Sequence, residues 1–246
     1  MEWWEDLYNR QIYFDLYEED DTHLAEQQVQ QVLALLHPPD GASILDLCCG
    51  YGRHSIKLAQ RGFQVTGSDI SEKQIQHARE VAQQAHVHVD FRVADARKLN
   101  FQEAFDVVLS MFLSFGFSQD ENEDKEVLRG VFRALKPGGT FLLDLWNREK
   151  EIRQFQPLSC EKTRDLIIVK EWQFDALGGR INWSNTVIFP DGKRESWDHS
   201  VRAYTIVELK ALLEEAGLQF KMVYGSLAGE EYTLDSSSTI IIATKL

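Results

Sequence analysis

The sequence predicts an α/β fold: a doubly wound, mostly parallel sheet interrupted by an inserted antiparallel β meander. Three observations carry this. Short apolar runs alternate with helical stretches between residues 43 and 146, the order of βαβ units in a parallel sheet. The first apolar run, Ser43-Ile44-Leu45-Asp46-Leu47, empties into Cys48-Cys49-Gly50-Tyr51-Gly52 and then into a helical segment. That is the grammar of a strand, a tight turn and a helix N-terminus, where free N–H groups face a ligand. From residue 155 to 204 the alternation gives way to strand-like runs joined by turn signals, so the division reads as 1–154 plus 205–246 for the main domain and 155–204 for an insertion over it. At 246 residues the chain is long enough for both.

Each element has its own reason. Residues 1–21 mix acids with Trp3, Trp4, Tyr8, Tyr13, Phe14 and Tyr17. They read either as a leading helix packed on the domain or as a flap over a ligand site, its rings suited to a cation. Thr22 opens a helical pattern with Leu24, Val29, Val32, Leu33 and Leu36 on one side, closed by Pro38-Pro39-Asp40-Gly41. After the glycine turn, Ile56, Leu58 and Ala59 mark a helix that stops at Gly62. Residues 63–69 form the next strand, and Ser71-x-x-Gln74 is a capping box for a helix with Ile75, Ala78, Ala82 and Ala85 inward. Strands follow at 87–95 and 105–111. The run Phe112 to Phe117 is broken by Ser114 and Gly116, so we read it as a ligand-lining loop in preference to a helix start. A helix at 126–135 and a strand at 140–146 complete this half. The insertion predicts a three-stranded meander at 166–174, 181–189 and 195–204, with turns at Gly178-Gly179 and Pro190-Asp191-Gly192-Lys193. Thr205-x-x-Glu208 caps a helix that Gly217 stops, and 219–225 and 239–245 read as closing strands around a loop with Glu230, Glu231 and Tyr232.

The acids at strand ends point to a ligand. Asp69 ends the second strand about 20 residues past the glycines, the spacing at which a carboxylate accepts from the vicinal hydroxyls of a ribose. A dinucleotide site would place a third glycine where Ser55 stands. Asp46, just before the turn, repels a pyrophosphate and suits a cation. The residues alone favour an adenosine-bearing cation such as S-adenosylmethionine over NAD, with tight NAD binding the outcome that would favour a dehydrogenase.

The motifs Asp46-x-Cys48-Cys49-Gly50-x-Gly52, Asp69, Ala94-Asp95-Ala96, Phe105-Asp106-Val107-Val108 and Leu135-Lys136-Pro137-Gly138-Gly139 occur in this order over roughly residues 40–147. Together they resemble the motifs of class I, Rossmann-like S-adenosylmethionine-dependent methyltransferases. Cys48 departs from the family pattern, which has its first glycine there. The resemblance implies a seven-stranded sheet and S-adenosylmethionine as cofactor, leaving S-adenosylhomocysteine as product. It implies that Asp46 and the backbone at Cys48, Gly50 and Gly52 hold the methionyl part, with Arg53 the better placed of Arg53 and His54 for its carboxylate, both of which have the N-terminal flap as an alternative partner. It further implies Asp69 on the ribose, Ile70, Asp95 and Ala96 around the adenine, and Ser110, Met111 and Phe112 on the methyl-transfer side. In small-molecule members an insertion covers the acceptor pocket. Alternation along 197–204 puts Asp198, Ser200, Arg202 and Tyr204 on one face and Trp197, His199 and Val201 on the other. His199 is the candidate base by its intrinsic pKa, and Arg202 and Tyr204 are candidates for an anionic group; each has a plain structural alternative. No metal is expected, since a sulfonium methyl is already activated and positioning supplies most of the rate.

Composition narrows the partners. A net charge of -13 without a basic run argues against nucleic acid, so a small-molecule acceptor leads, with tRNA, protein, or non-catalytic binding on the same fold as alternatives. Three cysteines, two of them adjacent, form no disulfide or zinc pattern. A cytoplasmic protein without a signal peptide or membrane span is the expectation, as monomer or homodimer.

Overall fold

The structure, a computed structural model, describes residues 3–246, apart from the side chains of Glu5, Tyr17, Glu19, Asp20 and Asp21; the Tyr17 ring and the first two residues thus lie outside the described residues. In chain order the main domain comprises α1 (Trp3–Leu7), α2 (Gln11–Leu36), β1 (Ser43–Leu47), α3 (Arg53–Gln60), β2 (Gln64–Asp69), α4 (Glu72–Gln84), β3 (Asp90–Val93), β4 (Phe105–Ser110), α5 (Glu121–Ala134), β5 (Leu135–Trp146) and α6 (Arg148–Arg153). Then come β6 (Leu158–Thr163), β7 (Leu166–Asp175), β8 (Arg180–Ile188) and β9 (Arg194–Arg202), followed by α7 (Ile206–Glu215), β10 (Leu218–Tyr224) and β11 (Ser238–Lys245).

Seven strands form one sheet in the order β10-β11-β5-β4-β1-β2-β3. Only β11 runs antiparallel to its neighbours, against β5 and β10. Adjacent residues of the central strands face opposite ways. Ile44, Val107, Leu142 and Ile240 join Val29, Val32 and Leu58 of α2 and α3 on one side, while Leu45, Val108, Leu143 and Ile241 join Leu128, Val131, Leu209 and Leu213 of α5 and α7 on the other. Burial on both faces is why these strands read as continuous apolar runs.

The second sheet differs from the three-stranded meander predicted. It has four antiparallel strands, β6-β7-β8-β9. The added edge strand β6, Leu-Ser-Cys-Glu-Lys-Thr, is exposed or half-exposed throughout, so no alternation announces it. α2 starts at Gln11, eleven residues before the expected Thr22. Its first turns bury Ile12 and Leu16 against Ile168, Val187 and Trp197 of the second sheet, not against the main core, so the helix carries two apolar stripes. α5 starts at Glu121, capped by Asp120, in a first turn with no apolar residue. The Thr205 capping box forms completely. Only half of the Ser71 box does: Ser71 Oγ accepts from the Gln74 amide, while Gln74 Nε2 reaches away to the Tyr8 carbonyl at 3.1 Å.

The second sheet is clasped to the main domain at its base. Arg180 is buried and donates to the carbonyls of Ser118 at 2.8 Å and Phe117 at 3.0 Å, and the Arg202 amide donates to Gly116 O at 2.7 Å. Gly116 to Ser118 belong to the loop after β4, so the sheet is anchored at the carboxyl ends of the parallel strands, where α/β sheets bind ligands. No helix among the described residues is long and apolar enough to cross a membrane.

Candidate active site

A cleft with about 1130 Å³ of atom-free space, its open mouth included, lies at those strand ends. Its floor is the turn after β1. Cys48 adopts φ 60°, the left-handed conformation that favours glycine, which is the physical reason a glycine would fit there. Gly50 and Gly52 also have positive φ. A Cβ on Gly50 would sit 2.7 Å from Gln74 Oε1, and one on Gly52 would sit 2.6 Å from the Phe91 ring. A side chain at either position would therefore collide with the walls of the turn, which keeps its main chain bare.

Carboxylates border it. Asp69, at the end of β2, is buried; its two oxygens accept from the amides of Gly50 and Ser71, each at 2.9 Å. The Ile70 amide also stabilises this carboxylate, and with about four lone-pair sites on its two oxygens it keeps acceptor capacity for a ligand. Asp46 is 1% exposed, and its Oδ2 accepts from Ser55 Oγ at 2.6 Å, so the residue in the third-glycine position serves the carboxylate. Burial pushes the Asp46 carboxyl up to about 6 against the pull of Ser55 and the Arg53 charge. Such a group calls for a counter-charge. Arg53 lies 4.3 Å over the Phe112 ring and donates to Gln28 Oε1; His54 is buried and shares that oxygen. Phe112 and Leu113 hold left-handed φ of 57° and 58°, a strained pair pinned where the Phe112 amide meets Asp144 Oδ2 and the Leu113 amide donates to Asp144 O.

Of the expected ligand-binding residues, Asp46, Cys48, Gly50, Arg53, Asp69, Ile70, Asp95, Ala96, Met111 and Phe112 line this cleft. Gly52 and Ser110 stand behind its lining, Gly52 against Phe91 and Ser110 buried at the end of β4. Asp95 carries an unforeseen load. Arg97 forks onto both its oxygens at 2.8 to 3.1 Å and reaches Glu123 at 2.7 Å, which holds the Asp95 carboxyl below its usual range although burial opposes this. Trp4, Tyr8 and Tyr13 also line the cleft: the N-terminal segment is its roof, tied down where Tyr8 O accepts from Ser71 Oγ and Gln74 Nε2.

None of the three catalytic candidates, His199, Arg202 and Tyr204, lines the cleft. His199 Nε2 accepts from Trp197 Nε1 at 2.9 Å, with the Asn185 amide nitrogen 3.2 Å away. An indole N–H only donates, so the proton sits on Nδ1 and the basic lone pair is spent. Burial, with the Lys170 charge, lowers this imidazole to about 3. Arg202 pairs with Glu208 at 2.6 Å and donates to Gly179 O. Tyr204 is buried and donates to Asp124 Oδ2 at 2.7 Å. Asp124 itself lines the cleft and was missed, because nothing separates it from its neighbours in the acidic run Glu121-Asn122-Glu123-Asp124. Tyr204→Phe is expected to cost about 1–2 kcal/mol of stability in urea melts and to leave ligand affinity within about twofold. A larger loss of affinity would return Tyr204 to the binding machinery. Among the described residues no group of three or more His, Cys, Asp or Glu is arranged to hold a metal.

Residues 44–139 match the family described as a methyltransferase domain. YqeM of Bacillus subtilis (strain 168), named as a putative methyltransferase, is 30% identical over 213 residues that cover 84% of this chain and 85% of that protein. The solved structure of the CcbJ methyltransferase from Streptomyces caelestis matches with a TM-score of 0.84 at 20% identity, over 97% of this chain and 98% of that one. CalS10 from Micromonospora echinaspora, an amino pentose methyltransferase solved with S-adenosylmethionine bound, matches with a TM-score of 0.68 at 21% identity, over 96% and 98%. With the glycine cradle and the paired acids, these likenesses make the chain a member of the class I S-adenosylmethionine-dependent methyltransferases.

Proposed function

We propose that this methyltransferase acts on a small-molecule acceptor, with the cleft holding the methyl donor. S-adenosylmethionine supplies an electrophilic methyl group on a sulfonium. The chain's own part is to bind and orient. Asp69 accepts from the two ribose hydroxyls with the lone pairs its backbone bonds leave free. Asp46 faces the ammonium of the methionyl end, and Arg53 its carboxylate. The cradle at Cys48 and Gly50, kept in shape by Gly52, takes that end against the main chain. Ile70 and Ala96 flank the adenine, Asp95 accepts from its amino group beside Arg97, and Met111 and Phe112, backed by Ser110, border the methyl group. The single observation that carries the reading is two buried carboxylates, Asp46 and Asp69, on either side of one bare turn. The small-molecule acceptor is supported by the net charge of -13 and by the likeness to an amino pentose methyltransferase.

Titration calorimetry with S-adenosylmethionine and S-adenosylhomocysteine tests the cleft, and labelled-methyl transfer into a metabolite pool tests the acceptor class. No uptake of either compound, or label entering only RNA or protein, would overturn the proposal. A pH dependence follows from Asp46. Its carboxyl is raised to about 6, and an ammonium ligand favours the ionised form. Donor affinity is therefore expected to rise about tenfold per pH unit up to about pH 6 and to level off above it. Asp124 and Asp144 are also raised to about 6, so Asp46→Asn is the control: it should weaken binding and flatten the profile. A flat profile in the parent protein would remove Asp46 from the ammonium.

A further inference from the structure

α2 meets α3 along an apolar seam. Ala25, Val29 and Val32 of α2 are buried, and Val29 and Val32 pack with Leu58 of α3. Glu26 pairs across the same seam with Arg61 and Lys57. Gln28 stands one turn from both Ala25 and Val32, on the face that the seam fixes, and is half-buried there. Its Oε1 meets two donors, Arg53 Nη1 at 2.9 Å and His54 Nε2 at 2.9 Å. Chemistry settles the protons of this triplet. A guanidinium only donates, so the oxygen of the Gln28 amide faces Arg53. An amide oxygen only accepts, so the His54 proton sits on Nε2. Burial and the Arg53 charge push His54 well below its usual range. The imidazole is therefore neutral, and it stacks on the Phe112 ring with centroids 5.4 Å apart.

Two guanidinium groups line the cleft, those of Arg53 and Arg97. Arg97 is committed to the carboxylates of Asp95 and Glu123. Arg53 is gripped by a neutral oxygen and lies 4.3 Å over the Phe112 ring. Two buried carboxylates feel its charge, Asp46 on β1 and Asp144 on β5. Each draws the guanidinium inward, and the bond to Gln28 holds it from the side of α2. An amide does this without cancelling the charge. A glutamate at the same place would bond Arg53 more strongly and neutralise it.

Resting on the donor orientation proposed above, we infer that Gln28 is a positioning residue for donor binding: it fixes the Arg53 guanidinium where the carboxylate of the methionyl end is received. Because it is an uncharged acceptor, the guanidinium keeps its full attraction for that carboxylate. His54 completes the bracket, since its Nε2–H fills the second lone pair of the same oxygen and leaves the amide one orientation. α2 thus takes part in donor recognition although Gln28 itself does not line the cleft.

The test compares S-adenosylhomocysteine with methylthioadenosine, which keeps the adenosine and the sulfur but lacks the amino-acid end. Both are titrated into the full chain by calorimetry. Gln28→Ala should weaken S-adenosylhomocysteine about fivefold and Gln28→Glu about tenfold or more, with methylthioadenosine within about twofold of the parent in both. That order separates positioning from plain structural support, because a merely structural bond survives in Gln28→Glu. Arg53→Ala should also weaken S-adenosylhomocysteine and spare methylthioadenosine, and Gln28→Ala added to it should change either affinity by no more than about twofold. Parent-like S-adenosylhomocysteine affinity in Gln28→Ala, Gln28→Glu or Arg53→Ala, or equal losses of both probes, would overturn the inference. A parent protein that binds no S-adenosylhomocysteine would overturn the function itself, whereas those outcomes in a parent that binds it overturn only the role of Gln28.

Discussion

Asp69→Ala is expected to weaken S-adenosylmethionine and S-adenosylhomocysteine binding at least about a hundredfold in calorimetry. Two hydrogen bonds from ribose hydroxyls to a buried carboxylate are lost, each worth about 1.5–3 kcal/mol. A second loss comes from within the chain. Asp69 holds the Gly50 and Ser71 amides at 2.9 Å, so its removal leaves two buried donors unanswered at the lip of the cradle and loosens the start of α4. Asp69→Asn separates the two effects. It keeps the shape and one acceptor oxygen, but turns an N–H₂ toward one of the amides, so it should lie between alanine and the parent protein. Unchanged affinity in Asp69→Ala would mean that the ribose is held elsewhere.

Gly52→Val is the most damaging single change expected for the fold. Gly52 has φ 78°, where a β-branched residue is strained by about 1–2 kcal/mol. Its Cβ would also lie 2.6 Å from Phe91 Cζ and 3.0 Å from the Ala78 Cβ. Phe91 and Ala78 are core residues of the layer between α4 and β3, so neither can swing out to solvent. Overpacking adds about 1–3 kcal/mol. The sum, about 2–5 kcal/mol, should appear as a lower urea midpoint with an unchanged slope. Gly138 is the comparison, because it too has positive φ but meets nothing within 4 Å; Gly138→Ala should show the backbone cost alone. If Gly52→Val cost no more than Gly138→Ala, the close approach to Phe91 would carry no weight.

The parallel half of the fold was legible because both faces of its strands are buried. Ile44 and Leu45, or Leu142 and Leu143, serve opposite cores, and the sequence registers this as adjacent apolar residues within short runs. The acids of the candidate cleft, Asp46 and Asp69, were legible because they stand at or next to the ends of β1 and β2. The rest depended on contacts between distant segments. β6 has solvent on both sides and shows no period. The first turns of α2 look unhelical until the second sheet supplies partners for Ile12 and Leu16. His199 looked like a base because its intrinsic pKa suggests one; only the Trp197 indole, two residues away on the same strand, shows that its lone pair is occupied. Arg97 gave no warning either, since its hold on Asp95 and Glu123 joins the end of β3 to α5.

The amino-terminal roof bears on access to the cleft. Tyr8 is fastened over the cleft by Ser71 and Gln74, and these same polar groups start the helix that follows Asp69. Any widening of the cleft would therefore fall to the opening residues of the chain, with α2 left seated on α3. Trp4, Tyr8 and Tyr13 thereby cover part of the cleft and keep that part from solvent.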